Sequence, residues 1–492
     1  MTLWTILWIA LPFLVGFSIY LLPGRDRILG RIFDGRNLAL AIALVSTAYA
    51  VGLFWQPAPL ELHLLDSFGV TLMADSPSAF FILTNALVTA AVVLYCWPSG
   101  KSSFFYTQVI LLHGSVNAAF ICADLISLYV ALEVISITAF LLIAYPNSHR
   151  SLWVAMRYLF ISNTAMLFYL MGTAMVYRTH QTFAFTGLQG APYEAIALIF
   201  VALLAKGGIF VSGLWLPLTH SEAESPVSAL LSGVVVKAGV FPLVRCALMV
   251  EELAPVVRVF GVTAALFGVL YALVETDAKR VLACSTLSQL GWVLAVPEAA
   301  GLYVLAHGLG KAALFLTVGN LPSRDLGLLR QQPMETNLWM PLMLGSLSIS
   351  GLPLLAGFSA KTLLLKQALP WQSLALNGAA VGTATLYAKF VFLPHQSSEK
   401  PERWTAKLGL WMALALLLGA LFILNLGYLD AYTGSSIVKT LLLIGAGFLI
   451  HELLIQRITL VLPRQMEDFE HLVGGMSLML VVLFWMTWSW LA

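Results

Sequence analysis

Residues Ala202 to Leu218 read ALLAKGGIFVSGLWLPL, an apolar run in which Lys206 is the one charge, followed by Gly207, Gly208, Gly213 and Pro217. An ammonium in such a run costs at least about 2.5–3.5 kcal/mol if it sits in hydrocarbon, and it persists mainly where it faces a bundle interior or a water-filled path. Glycine and proline loosen the helix ladder, and helices break inside a membrane only where they line a cavity or pack within protein. The stretch reads as a membrane helix interrupted beside a buried charge.

The rest of the chain agrees. Of 492 residues, 60% are hydrophobic and 10% charged, where soluble domains carry about a quarter charged. Mean hydropathy is +0.89. Apolar stretches of about 18–25 residues recur from end to end, each able to cross a core of about 30 Å. Sixteen are read: 2–22, 37–55, 79–97, 104–121, 123–144, 151–176, 193–214, 226–250, 254–274, 281–296, 300–319, 338–368, 374–393, 407–426, 437–455 and 473–491. The stretches 104–121 and 281–296 are the weakest, so the expectation is 14–16 spans. The long 338–368 stretch holds Gly351, Pro353 and Gly357 and reads as a second broken helix. The short alternating segments of a membrane β-barrel are absent from the sequence. The fold class is an all-α polytopic membrane protein. The N-terminus has no basic leader or small-residue cleavage site and reads as a retained first helix. Cys96, Cys122, Cys246 and Cys284 lie in or beside apolar segments without paired spacing, and read as small buried hydrophobes.

The charges between spans fall into two groups. Loops expected on one side carry Arg25, Arg27, Arg31, Arg36, Lys101, Arg150, Lys279, Arg280, Arg324, Arg330, Lys400, Arg403, Lys407, Arg457 and Arg464. The opposite loops carry Glu61, Asp66, Asp75, Glu251, Glu252, Glu298 and Asp430, with Arg178 as the exception. This separation favours both termini on the non-cytoplasmic face. The longest loops, about 56–78, 177–192, 394–406 and 456–472, have no room for a nucleotide-binding domain. Gly308 and Gly310 lie inside a span and form no phosphate fingerprint. The sequence shows no catalytic triad, metal cluster or cofactor motif, so no covalent chemistry is expected within this chain.

The informative residues are charges placed where charges are expensive. Glu133, Lys206, Lys237, His307, Lys311 and Lys361 sit within spans. His307 and Lys311 are four residues apart and share a helix face. Arg157, Arg245, Lys366 and Lys389 lie nearer span ends, where long side chains snorkel to the interface. His113, Asp124, His220, Glu222 and Glu224 are close to expected ends and are candidates for entrances. Burial disfavours the charged form of lysine and of glutamate, and a nearby opposite charge restores both. Glu133 beside Lys206 is therefore expected to keep both ionised. A row of lysines passes protons singly and repels bare cations, but a partner or an opposing gradient must drive it. The bland alternative for each residue is a packing charge or a hydrogen-bonded core histidine.

WLPLTHSEAESPVSALLSGVVVKAGVFPLVR, Trp215 to Arg245, resembles the signature of the antiporter-like subunits. These are the large proton-translocating membrane subunits of respiratory and photosynthetic complex I and the A- and D-type subunits of Mrp cation/proton antiporters. The resemblance extends to YVALEVISITAFLLIAY, LLAKGGIF, LAHGLGKAALFL and GLPLLAGFSAKTLLL, and so covers about residues 104–393. One departure is Gly213–Leu214, where many members carry a polar residue or histidine before the tryptophan. The resemblance implies two inverted five-helix repeats, so that 104–250 and 254–393 are half-channels flanked by 1–103 and 394–492. It implies a proton relay of Glu133, Lys206, Lys237, His307, Lys311 and Lys361, with His220, Glu222, Arg245, Lys389 and Asp124 at entrances or in secondary roles. It implies homologous and small membrane subunits as partners, and no redox cofactor in this chain. Chain length and Lys361 favour an Mrp D-type subunit with Na+ as the exchanged ion. The alternatives are a subunit-4-like chain of complex I or its photosynthetic relative, a carbon-uptake or hydrogenase assembly, and a non-conducting structural subunit.

Overall fold

The computed structural model describes residues 2–21, 34–65, 69–397, 407–457 and 464–491. Arg25, Arg27, Arg31, Asp66, Lys400 and Arg403 of the charge pattern lie outside them. Each of the sixteen apolar stretches is helical, and among the described residues thirteen helical stretches are long and apolar enough to cross a membrane. The protein is a polytopic integral membrane protein. The stretches outside the thirteen are Ala278–Ala295, the split pair Thr336–Ser350 and Ala356–Gln367, and Pro370–Val391. Ala278–Ala295 shows the reason: Ser285, Thr286, Ser288 and Gln289 are buried in it. A helix wrapped by other helices can be polar, because its hydroxyls and amides bond across helices rather than meet lipid.

Among the described residues the strands form two small sheets, with isolated antiparallel bridges at Leu72–Cys122, Asp124–Ala184 and Asp277–Asp325 besides. The loop expected over 56–78 holds an antiparallel hairpin, Leu60–Leu65 against Gly69–Ala74. Met334–Glu335 and His395–Gln396 pair in parallel. Several spans begin at an aspartate whose carboxylate accepts backbone N–H groups of the first turn, which are otherwise orphaned. Asp75 takes Ser78 at 2.9 Å, Asp124 takes Ser127 at 2.7 Å and Asp277 takes Lys279 at 2.9 Å. Asp34 caps the helix Gly35–Phe54 and pairs with Arg36 at 2.6 Å. The hydrogen bonds from Arg36 hold that carboxyl below its ordinary value.

Ser76–Cys96 and the run Ser225–Met249 lie antiparallel at the centre. At one end Lys101, just past the first helix, meets Glu224 at 2.7 Å, and at the other Asp75 meets Arg245 at 3.1 Å. The Lys101 end also collects Arg150 on Glu222 and Lys279 on the carbonyl of Ala223. Lys101, Arg150 and Lys279 of the basic loops thus sit at the end opposite Asp75, with Glu222 and Glu224 beside them.

The helices Thr2–Leu21 and Gly35–Phe54 are held by a buried polar network around His113. His113 contacts Ser46 at 2.8 Å, Asn117 at 3.0 Å and Thr89 at 3.1 Å, and the Trp8 indole donates to Ser46 at 3.0 Å. His113 therefore lies mid-helix in a closed network, away from the span end where the sequence places it.

Candidate functional site

The helix Tyr193–Gly207 stops where Gly208 takes a left-handed φ of 65°. A 3-10 turn, Phe210–Leu214, carries the chain into a second helix, Trp215–Glu222. At the break the Gly208 N–H donates to Ala205 O at 3.2 Å, and the Trp215 indole adds a second donor to the same carbonyl at 3.0 Å. Lys206 lies one residue before the end. Its ammonium donates to the hydroxyls of Ser136 and Ser162 and, at 3.3 Å, to the carbonyl of Leu132. The serines come from Leu125–Ala144 and His149–His180 and contact one another at 2.9 Å. A cavity of about 10 Å3 beside Lys206 is lined by Tyr158, Ser162 and Trp215, room for about one water.

The expected Glu133–Lys206 ion pair is not made. Glu133 belongs to the outward stripe of its helix, with Val130 54% and Ile137 50% exposed, and it is only half-buried. Lys206 is reached by the carbonyl of the neighbouring Leu132 instead. Two hydroxyls and a carbonyl solvate the charge where the sequence suggests a carboxylate.

Lys237 follows a five-residue π turn, Leu231–Val235. Such turns recur at functional sites. Its ammonium donates back to the carbonyl of Ser232 at 2.9 Å, and the Ser232 hydroxyl meets Thr286 at 2.7 Å. Lys311 donates to Leu282 O at 2.7 Å and lies 5.6 Å from the centre of the Tyr387 ring. One turn earlier His307 is buried with neither ring nitrogen bonded. It lines a cavity of about 10 Å3 with Lys361, Gln289, Tyr303 and Ser348. Lys361 donates to Ser350 O at 3.4 Å and sits 5.1 Å from the Trp292 ring. That carbonyl ends Thr336–Ser350, where Gly351 turns left-handed at φ 94° before Ala356–Gln367 begins. Both breaks expected from sequence are present, each with a lysine beside it. Among the described residues none of Lys206, Lys237, Lys311 and Lys361 has a carboxylate within 4.0 Å.

The secondary candidates divide. His220 is fully buried, stacked on Phe315 at 4.8 Å, with both ring nitrogens unbonded. Glu222 and Glu224 are near the basic loops, and Glu224 borders a cavity of about 570 Å3 with Lys101, Lys279 and Arg324. Asp124 is buried, and besides capping its helix it accepts from Thr71 N at 2.8 Å, pinning the hairpin. Arg245 and Lys389 do not snorkel. Arg245 is 3% exposed and bonded to Asp75 and Ser78, and Lys389 is 6% exposed and donates to Leu273 O at 2.6 Å and Glu275 O at 2.9 Å. Each satisfies groups that burial would otherwise orphan. Lys366 is exposed, as its place near a helix end suggests. The four cysteines are free and buried. The sequence reading misses Ser136 and Ser162. Their small hydroxyls give no signal except a position facing Lys206, which only packing reveals.

Comparison with known proteins places the chain in a family. Residues 122–387 match the family described as NADH:quinone oxidoreductase/Mrp antiporter, transmembrane region. The match spans more than half of the chain, and the chain belongs to that family. It is similar to the D-type Na(+)/H(+) antiporter subunit of Alkalihalophilus pseudofirmus, 28% identical over 78% of this chain and 84% of that one. It is 29% identical to an NAD(P)H-quinone oxidoreductase chain 4 of Synechococcus elongatus, covering 70% of this chain and 71% of that one. Among solved structures it shares its fold with a chain of the archaeal membrane-bound sulfane sulfur reductase, with TM-score 0.75, 21% identity and coverage of 89% of this chain and 99% of that one. A chain of the Mrp complex from Dietzia sp. gives TM-score 0.74 at 21% identity, covering 96% of this chain and 100% of that one.

Proposed function

We propose that this chain is the proton-conducting, D-type-like subunit of a multisubunit cation/proton antiporter, in which protons move along Glu133, Lys206, Lys237, His307, Lys311 and Lys361 in exchange for Na+. The observation that carries the reading is the solvation of the four lysines. Each ammonium rests on hydroxyls or carbonyls, which stabilise a charge without competing for its proton as a carboxylate base does. Two of the lysines adjoin breaks and water-sized cavities.

The two breaks support treating 104–250 and 254–393 as inverted repeats with a half-channel each. A Cβ on Gly213 would lie 2.2 Å from the carbonyl of Gly208, and one on Gly357 would lie 1.9 Å from the carbonyl of Ser348. Each break is thus closed by a glycine packed against the end of the first helix, Gly213 from the connecting turn and Gly357 from the second helix. His220 and the Glu224 cavity supply an approach from the basic-loop face, the cytoplasmic side by the positive-inside rule, which sets both termini on the other face. The half-buried Glu133, on an otherwise apolar outward stripe, supports a homologous subunit covering that surface, since a carboxylate facing lipid is costly. A second reading, a proton-pumping membrane subunit of a quinone oxidoreductase, is favoured by the similarity to the Synechococcus chain 4.

The test is Lys206→Ala in the intact assembly, with proton and sodium flux recorded in sealed vesicles. Loss of proton flux with normal assembly is the expected result, and unchanged flux overturns the relay. Proton flux that persists without sodium and follows electron transfer selects the second reading.

A further inference from the structure

The last segment of the chain lies beyond the residues matched by the family and reaches back into the bundle. Arg464–Glu467 form a turn ahead of the helix Phe469–Leu491, and Glu467 is 4% exposed. Its carboxylate takes Arg280 on both oxygens, Nη1 to Oε2 at 3.1 Å and Nη2 to Oε1. The Tyr271 hydroxyl donates to Oε1 at 3.3 Å. Arg280 also donates to Glu275, through Nε at 3.1 Å and Nη2 at 2.7 Å. One buried guanidinium is therefore held between a local carboxylate and one that arrives 187 residues later.

The segment spans both halves. Arg157, from His149–His180, donates to the carbonyl of Glu467. Beyond it, the terminal helix lies along the first broken helix, where Thr487 donates to Tyr193 O at 3.3 Å and Gly475 faces Val211. Arg280 is in the first turn of Ala278–Ala295. Two residues on, Leu282 gives Lys311 its acceptor, and one turn further Thr286 holds Ser232, whose carbonyl takes Lys237. A single helix thus positions the acceptors of two lysines, and its start is fixed from the C-terminal segment.

We propose that Glu467 is a positioning residue for the relay: by seating Arg280 it sets the placement of Ala278–Ala295, and with it the groups that hold Lys311 and Lys237. The inference rests on the relay proposed above. Removing the Glu467 charge leaves Arg280 to Glu275 alone, with a buried cation less completely compensated. The first turn is then drawn toward Glu275 and takes Leu282 with it.

The experiment measures proton flux per assembled complex, together with the amount assembled, for Glu467→Gln, Arg280→Gln, the double variant and Lys206→Ala. Glu467→Gln is expected to assemble normally and to lose flux about tenfold, within the range of coupling that packed networks carry. The double variant is expected to be no worse than Arg280→Gln, because the two residues act through one contact. A merely structural role lowers the amount assembled and leaves flux per complex unchanged. That result, or additive losses, overturns the inference. Where Glu467→Gln does not assemble, Glu467→Asp decides: it keeps the charge but withdraws it from Arg280, so lowered flux supports the role and unchanged flux overturns it. Lost flux in Lys206→Ala with wild-type flux in Glu467→Gln removes this inference alone, whereas wild-type flux in Lys206→Ala removes the relay.

Discussion

Alanine at Gly213 tests whether the first break is closed as tightly as the structure shows. The added Cβ would lie 2.2 Å from the carbonyl oxygen of Gly208, 2.5 Å from its carbon and 2.9 Å from Leu287 Cδ1. Ordinary contact begins at 3.4 Å, so the two pieces must separate by about 1.2 Å. Backbone has no rotamer with which to yield, which places the cost at the upper end of overpacking, about 3 kcal/mol. That amounts to about 150-fold in the population of the closed break, at 1.4 kcal/mol per factor of ten. Gly357→Ala makes the same test at the second break, against Ser348 O at 1.9 Å. Gly378, inside the helix Pro370–Val391 with nothing within 4 Å of its Cβ position, is the control. Alanine there is expected to gain about 0.5–1 kcal/mol from backbone entropy. The assay is the midpoint of thermal unfolding of the purified protein in detergent, followed by proton flux of the assembly in vesicles. The expected order is a clear loss at 213 and 357 in both measurements and none at 378. Wild-type stability and flux for Gly213→Ala would refute the close approach, and with it the view that the break is a built feature.

Two further outcomes follow from the geometry. Ser136→Ala with Ser162→Ala strips Lys206 of both hydroxyls, at about 1.5–3 kcal/mol for each hydrogen bond to a charged group; proton flux in vesicles should fall by more than for either single change, and an unchanged flux would mean the ammonium is solvated elsewhere. The Asp34 carboxyl is held below its ordinary value of 3.8 by hydrogen bonds from Arg36, so its stabilisation is fully present above about pH 4 and is lost as pH falls through the lowered value. Asp34→Asn should therefore lower the unfolding midpoint slightly at neutral pH, by an amount that shrinks as pH falls below about 4, which a melting series against pH checks.

The sequence reveals the helices and their breaks for a simple reason. Hydropathy and glycine–proline punctuation are local, and a membrane forces each span to satisfy its own backbone. Gly207–Gly208 and Gly351–Gly357 announce the two interruptions that the structure contains. What a side chain touches is not local. Sequence pairs Lys206 with Glu133 because opposite charges are the visible partners, yet it is the buried Ser136, one turn along the same helix, that meets the ammonium, while Glu133 is half-buried and outside ion-pair distance. Arg245 and Lys389 read as interfacial because they sit near span ends. Their burial comes from Asp75 and from the carbonyls of Leu273 and Glu275, all distant in sequence. Glu467 gives no signal at all, since a carboxylate in a polar turn before a helix resembles a solvated one until Arg280 is placed against it.

The π turn ahead of Lys237 has a consequence for how this helix is encoded. A π turn holds one residue more than the α turn it replaces, and one residue of an α-helix is about 100° of rotation. Lys237 and everything after Val235 therefore face a direction that an unbroken helix from Ser225 would not give them. The bearing of the ammonium is written as a tally of upstream residues, with no demand on their chemistry. Shorten Leu231–Val235 by one and the lysine swings off the axis with its own side chain, and all its neighbours, unaltered in kind.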